Sequence, residues 1–278
     1  MRSMIKLVRW PNLVIVFFTQ YAVYFFLAKN KWSDYSLLIP PFGLLVLSLG
    51  TILIAAAGYV INDYYDIKID LVNKPERIVI GRVVSRRQAI IFHSALNFLA
   101  IAIGFTLSWR VALLFGVCAF LLWFYSNILK RTPLLGNILI SALSAAVVWA
   151  VGVYLGQYNR LVYSYSIFAF CISLLREIIK DLEDTKGDAA YGCKTFPIVW
   201  GMRKTKILLI VILVVFIALV IYQAIQQPQE AVIYWGIVFL LLYLGVQIVK
   251  ADKQKDFSNL SAFCKWLMLA GVISLGFC

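Results

Sequence analysis

Charge is scarce in this chain. Only 14% of its 278 residues are Asp, Glu, Lys or Arg, while 63% are hydrophobic. A water-soluble domain carries about 25% charged residues, so a soluble core with a polar shell is excluded. Histidine is nearly absent, with His93 the single example. The five cysteines, at 118, 171, 193, 264 and 278, form no CxxC pair and are odd in number. They fit neither a zinc site nor a disulfide framework, and the four in or next to predicted spans read as small apolar fillers. A cleavage site is missing too. Arg2, Lys6 and Arg9 precede an apolar run over 13–28, but that run ends in Tyr24-Phe25-Phe26-Leu27 with no small-x-small pattern after it. It reads as a retained first helix rather than a signal peptide.

What is present is apolar sequence in long runs. A membrane-crossing helix needs roughly 20 such residues. The runs predict spans near 12–28, 36–61, 88–108, 110–128, 134–156, 161–180, 205–225, 231–249 and 261–278. The expected fold class is therefore all-α: a polytopic membrane protein of about nine helices, one domain over 1–278. Trp109-Arg110 leaves room for only a tight hairpin between the third and fourth spans. Nine spans divide the remaining segments into two alternating sets. One set holds 22 of the 26 Lys and Arg residues and the other holds 4. Basic residues stay on the cytoplasmic side of short loops. The N-terminus and the two large polar segments are thus expected to be cytoplasmic, with the C-terminus opposite. The net charge of +13 then lies mostly on one face, where it suits anionic membrane lipid. It gives no reason to expect nucleic acid.

Nine of the 13 acidic residues fall in two short windows. Asp63, Asp66, Asp70 and Glu76 follow the second span. Glu177, Asp181, Glu183, Asp184 and Asp188 end the sixth. Carboxylates at the edge of a membrane core are expensive and mark function. Asn62, Asp66 and Asp70 are spaced four and four; Asp181, Asp184 and Asp188 are spaced three and four. Continued helix would put each trio on one face. A face of oxygen ligands without His or Cys selects Mg²⁺ or Mn²⁺, and two such clusters suit two metals on a polyphosphate. Lys68, Lys74, Arg77 and Arg82 follow the first cluster; Lys180, Lys186 and Lys194 surround the second; Lys130 lies in the short loop after the fourth span. Carboxylates for metal beside cations for phosphate oxygens make a metal–diphosphate site. The plainer alternative, solvated loop charges in ordinary ion pairs, leaves the repeated spacing unexplained. A transporter is the competing class, since intramembrane carboxylates also line ion paths. However, these acids sit at span ends and not at the midplane, where transporter sites lie.

Residues 62–77 read NDYYDIKIDLVNKPER, and 181–201 read DLEDTKGDAAYGCKTFPIVWG. The first resembles the NDxxDxxxD signature of the UbiA superfamily of intramembrane prenyltransferases, and the second is similar to its DxxDxxxD signature. YSNILKR at 125–131 and REIIKD at 176–181 match the stretches that accompany them. The resemblance runs from about residue 6 to 206. It implies nine helices around a central cavity, two cytoplasmic aspartate-rich loops and two Mg²⁺ ions. It also implies transfer of an isoprenyl group from its diphosphate to a lipophilic acceptor. By motif position, Asn62 and Asp66 hold one metal and Asp184 and Asp188 the other, with Asp70 and Asp181 completing the trios. Lys74, Arg77, Lys130, Lys180 and Lys194 are expected to bind the diphosphate. Tyr59, Tyr64, Tyr125 and Trp149 are candidates to face a prenyl cation, with packing as the alternative for each.

The connection Asp70-Leu71-Val72-Asn73-Lys74-Pro75-Glu76-Arg77 resembles the family branch that alkylates the free hydroxyl of geranylgeranylglyceryl phosphate. A geranylgeranyl donor and that acceptor are the expectation, with an aromatic quinone precursor as the alternative. The chain departs from the family pattern at Arg77-Ile78-Val79-Ile80-Gly81, where prolines are usual; Gly81 is expected to keep the turn. His93, outside every motif, is expected to be hydrogen-bonded within the bundle.

Overall fold

The computed structural model describes residues 7–28, 42–73, 75–158 and 160–274, without the side chains of 26–28, 77 and 161. These residues form nine α-helices: α1 (Trp10–Ala28), α2 (Phe42–Asn73), α3 (Arg86–Leu107), α4 (Trp109–Asn127), α5 (Leu135–Leu155), α6 (Arg160–Ala190), α7 (Phe196–Gln226, kinked at Gly201 with φ 80°), α8 (Ala231–Lys250) and α9 (Gln254–Ser274). Eight of them are long and apolar enough to cross a membrane. The only β pairing among the described residues is one isolated bridge, Ile80 to Val84.

Two compact units divide the chain, and α5 contributes a half to each. The first holds 1–129 and 146–162. Within it α2 packs against α1, α3 and α4. Leu44, Leu47, Ala57 and Val60 form the fully buried side of α2. The link between α3 and α4 is a single extended residue, Ser108. Its N–H donates to the Gly104 carbonyl and its hydroxyl accepts from the Val111 amide at 3.2 Å. The hairpin is therefore one residue earlier than expected, and Trp109 already belongs to α4. It is so tight that a Cβ on Gly104 would lie 2.8 Å from the Ala112 Cα. Small residues at such crossings let membrane helices approach. His93 behaves as expected: it is buried, its Nδ1 donates to the Ala57 carbonyl at 2.9 Å, and Asn97 Nδ2 donates to its Nε2 at 3.2 Å.

The second unit holds 130–145 and 163–278. There α7 packs on α8 and α8 on α9. The core is Leu209, Leu213 and Val220 of α7, Tyr234, Leu241, Leu244 and Ile248 of α8, and Phe257 and Cys264 of α9. Tyr234 is buried with its hydroxyl satisfied, donating to Gln227 Oε1 at 2.7 Å. An apolar body with one bonded tip is the usual way to bury a tyrosine.

Candidate active site

The two aspartate-rich segments are not loops. Asn62, Asp66 and Asp70 lie on α2, which continues to Asn73; Asp181, Asp184 and Asp188 lie on α6, which continues to Ala190. The expected spans stopped at 61 and 180. The buried positions keep a three- to four-residue spacing past the apolar runs, Asp66 and Ile69 on α2 and Ile178, Ile179, Leu182 and Glu183 on α6. That is the period of a helix with one face turned inward.

In the first unit, Asn62 Nδ2 donates to Asp66 Oδ2 at 2.8 Å, and Asp66 is buried. Asp70 is half-buried one turn further on. Asp63, on the neighbouring face, pairs with Arg9 at 2.6 Å. The same guanidinium stands 5.1 Å over the Tyr59 ring, whose hydroxyl accepts from Asn12 Nδ2 at 3.1 Å. Tyr64 meets Arg86 in the same way, at 5.7 Å, and Tyr65 edge-on at 5.3 Å. Each of these two rings already faces a cation supplied by the protein. Trp149 packs against Tyr158 at 5.3 Å, and Tyr125 is half-buried on α4.

The chain after α2 carries the expected phosphate-binding residues. Arg77 ends a short 3-10 turn, Pro75–Arg77, and Lys74 lies outside the described residues. The turn that follows does without the family's prolines. Gly81 has φ 89° and donates to the Val84 carbonyl at 2.8 Å, while the amides of Val83 and Val84 converge on the Val79 carbonyl. Only glycine takes that backbone angle cheaply. Leu7, ahead of α1, is completely buried against Val60, Val79, Ile80, Val84 and Ala89. The segment before the first helix is thus sewn to both the motif end of α2 and the turn beyond it.

In the second unit, Asp188 is buried, and Asp181 and Asp184 are half-buried. Asn137, in the first turn of α5, donates to Asp181 Oδ2 at 2.9 Å. Upstream, the buried Glu177 accepts from Arg176 Nη1 at 2.7 Å and from Lys180 Nζ at 3.2 Å. Lys130 sits in a 3-10 turn, Leu129–Arg131, and adds its field to Glu177. The turn is anchored by the Lys194 amide, which donates to the Arg131 carbonyl at 2.9 Å. Lys194 itself is exposed.

Arg9, Asn137 and Glu177 are the site residues that the spacing of the motifs does not indicate. Each bonds a motif residue, or the basic pair beside one, from another position or another element. The signals for them are slight: Asn137 is a lone polar residue at the start of an apolar span, and Glu177 is one acid among several in the second window. Among the described residues no three His, Cys, Asp or Glu side chains converge as a ready metal cluster. The donor set nonetheless suits a hard cation. Within each trio the groups share a helix face and offer only carboxylate and amide oxygens.

Known proteins resemble the chain over most of its length. The model of the UbiA prenyltransferase family matches residues 15–270. A digeranylgeranylglyceryl phosphate synthase of Methanobrevibacter smithii is 31% identical over 230 residues, 79% of this chain and 81% of that protein. The Saccharolobus solfataricus synthase of the same name is 28% identical over 287 residues, 99% of this chain and 95% of that one. A solved structure concerning digeranylgeranylglyceryl phosphate synthase in membranes superposes with a TM-score of 0.73 at 23% identity, over 99% and 96% of the two chains. That of a UbiA homolog from Archaeoglobus fulgidus bound to GPP and Mg²⁺ gives 0.69 at 17%, over 99% of each. The transport alternative falls away, because the chain belongs to the UbiA prenyltransferase family and is an integral-membrane prenyltransferase.

Proposed function

We propose that the chain transfers a geranylgeranyl group from its diphosphate to the free hydroxyl of geranylgeranylglyceryl phosphate, a step of ether-lipid synthesis, with Mg²⁺ as cofactor. One observation carries this reading. The similarity to proteins named digeranylgeranylglyceryl phosphate synthase runs along nearly the whole chain rather than along the motifs alone.

Asn62 and Asp66 are suited to hold one metal, and Asp184 and Asp188 the other. Asp70 and Asp181 complete the two oxygen faces. Asn62 and Asp66 already touch, and turning the amide presents two oxygens where a donor and an acceptor now meet. Bound Mg²⁺ would neutralise the negative charge that makes diphosphate a poor leaving group. Lys130, Lys194, Arg77 and Lys74 serve the same end by donating to phosphate oxygens. The bond between the prenyl C1 and the diphosphate oxygen breaks with its electron pair leaving on the diphosphate. The acceptor hydroxyl oxygen then bonds to C1 and loses its proton, giving an ether. Tyr125 and Trp149 remain candidates to face the carbon centre. Tyr59 and Tyr64 are better explained as partners of Arg9 and Arg86. The basic bias of one set of segments supports a cytoplasmic N-terminus and cytoplasmic motif ends.

The test is an assay of purified protein in detergent with Mg²⁺ and radiolabelled geranylgeranyl diphosphate. Geranylgeranylglyceryl phosphate and an aromatic acid are supplied in parallel, with EDTA as control. An EDTA-sensitive diether product is expected. Product from the aromatic acceptor alone would move the chain to the quinone branch of the family.

A further inference from the structure

Glu177 carries two cations on one carboxylate. Arg176 reaches Oε1 at 2.7 Å and Lys180 reaches Oε2 at 3.2 Å. Glu177 is buried, whereas Arg176 and Lys180 keep 17% and 26% of their side chains exposed. The neighbouring carboxylate, Asp181, accepts instead from Asn137. The field of Lys130 adds further positive charge. Lys180 also acts on Asp181, which in turn feels Asp188, so the excess of cation is local: at Glu177 itself two half-buried cations meet one carboxylate, an arrangement that a further anion would complete. Arg176 also has a buried Nε–H with no acceptor. Buried donors of charged groups are normally bonded.

Position along α6 separates Arg176 from the metal-binding level. Arg176 precedes Asp181, the first residue of the second trio, by five residues, about 7.5 Å of helix, and Asp184 by eight, about 12 Å, whereas Lys180 directly precedes Asp181 and turns back to Glu177. One helix thus offers two anion levels: one through carboxylates suited to metal, the other through bare cations. A donor diphosphate needs only the first. An acceptor that carries its own phosphate needs the second. Its phosphate lies within a few bonds of the reacting hydroxyl, yet must be kept from the diphosphate by charge repulsion.

We propose that Arg176 and Lys180, spread and oriented by Glu177, bind the phosphate monoester of the acceptor, apart from the donor diphosphate. This rests on the function proposed above, and it moves Lys180 from the donor to the acceptor. Arg176 offers the planar fork that a phosphate accepts bidentately, and Lys180 adds a point charge. Glu177 is a positioning residue, since its carboxylate faces the two cations and not the substrate.

The test is steady-state kinetics of the full chain in detergent with Mg²⁺. Geranylgeranyl diphosphate and geranylgeranylglyceryl phosphate are varied separately for wild type, Arg176→Gln and Arg176→Lys. Geranylgeranylglycerol, which lacks the phosphate, is a further acceptor. Arg176→Gln is expected to raise the KM for the phosphorylated acceptor about tenfold or more, the loss of one charged hydrogen bond. The donor KM should stay within about twofold, and Arg176→Lys should recover part of the loss. The wild-type preference for the phosphorylated acceptor over the alcohol should narrow by the same factor. A rise in the donor KM instead assigns the pair to the diphosphate and overturns the proposal, as does no change in either KM. If Arg176→Gln does not fold, Lys180→Gln bears the same test with the same outcomes. Wild type that alkylates no phosphorylated acceptor overturns the function reading itself. Wild type that does, with unaltered variants, overturns this inference alone.

Discussion

Arg9 Nη2 donates to Asp63 Oδ1 at 2.6 Å across 54 residues of sequence. Asp63 directly follows Asn62, so the pair fixes the motif turn of α2 from outside the helix. Arg9 holds a left-handed backbone, φ 51°, to make this contact, a conformation a non-glycine residue takes only at some cost. Its guanidinium is partly exposed, so the ion pair itself stabilises by no more than about 1 kcal/mol. Leu7, two residues earlier, is fully buried, and its loss to alanine costs about 2–4 kcal/mol. Arg9→Ala is therefore expected to leave the melting temperature nearly unchanged while lowering kcat/KM roughly tenfold or more, because a small misplacement at a reacting centre is expensive. Leu7→Ala should do the opposite, lowering stability first. Equal melting losses in both would show that the Arg9 contact is structural only.

Asp66→Ala and Asp184→Ala are each expected to reduce turnover by at least about a thousandfold, the scale of losing one major electrostatic contribution to the transition state. Asp66→Ala leaves Asn62 Nδ2 without its acceptor, a loss of about 1 kcal/mol, so the protein should still purify as a folded species. EDTA should silence wild type, and added Mg²⁺ should restore wild type but neither variant. Wild-type rates in either variant would remove that residue from the metal set.

The helices are legible in the sequence because each pairs a run of about 20 apolar residues with a polar break. What hydropathy misjudges is where α2 and α6 end, and where α7 and α9 begin, at Phe196 and Gln254 rather than near 205 and 261. Asp66, Asp70, Asp181 and Asp184 lower the apolar average, so those segments look like loops. Their spacing of three and four, read as periodicity, already indicates helix. The partners of the motifs are a different matter. Arg9 with Asp63, and Asn137 with Asp181, are set by how distant segments fold back, and nothing local in a single sequence records such a pair. Glu177, only four residues from Asp181, was visible as one acid among several; its two cations became apparent only through geometry.

Gly104→Val should destabilise by about 1–3 kcal/mol, the usual cost of overpacking. Its Cβ would meet Ala112 Cα at 2.8 Å and Phe115 Cδ2 at 3.1 Å, and a backbone atom cannot rotate away. Gly116, on the next helix, has nothing within 4 Å of the same added atom, so Gly116→Val is the matched control. Thermal unfolding in one detergent distinguishes them, and similar curves for the two variants would contradict the tight α3–α4 approach.

Nine helices and the basic bias predict that a tag before residue 1 is reached only from the cytoplasmic side and a tag after Cys278 only from the other. Protease protection in sealed, oriented vesicles reads this directly. Both tags on one side would require an even number of crossings and would remove a span.

On the proposed function, the lengths of the two motif-bearing helices set how deep in the bilayer the diphosphate is held. A helix of 32 residues, as α2 is, measures about 48 Å, and α6 with 31 is close behind. The hydrocarbon layer is roughly 30 Å thick. The excess is about 12 residues for an upright helix, which is the stretch from Asn62 to the end of α2, and about 11 for α6, from Lys180 onward. Immersion and protrusion meet at the first motif residue. On the proposed function, the donor's apolar chain stays dissolved in lipid while its diphosphate is held one or two turns above the hydrocarbon layer on the same backbone, and the acceptor phosphate at Arg176 lies about one turn deeper.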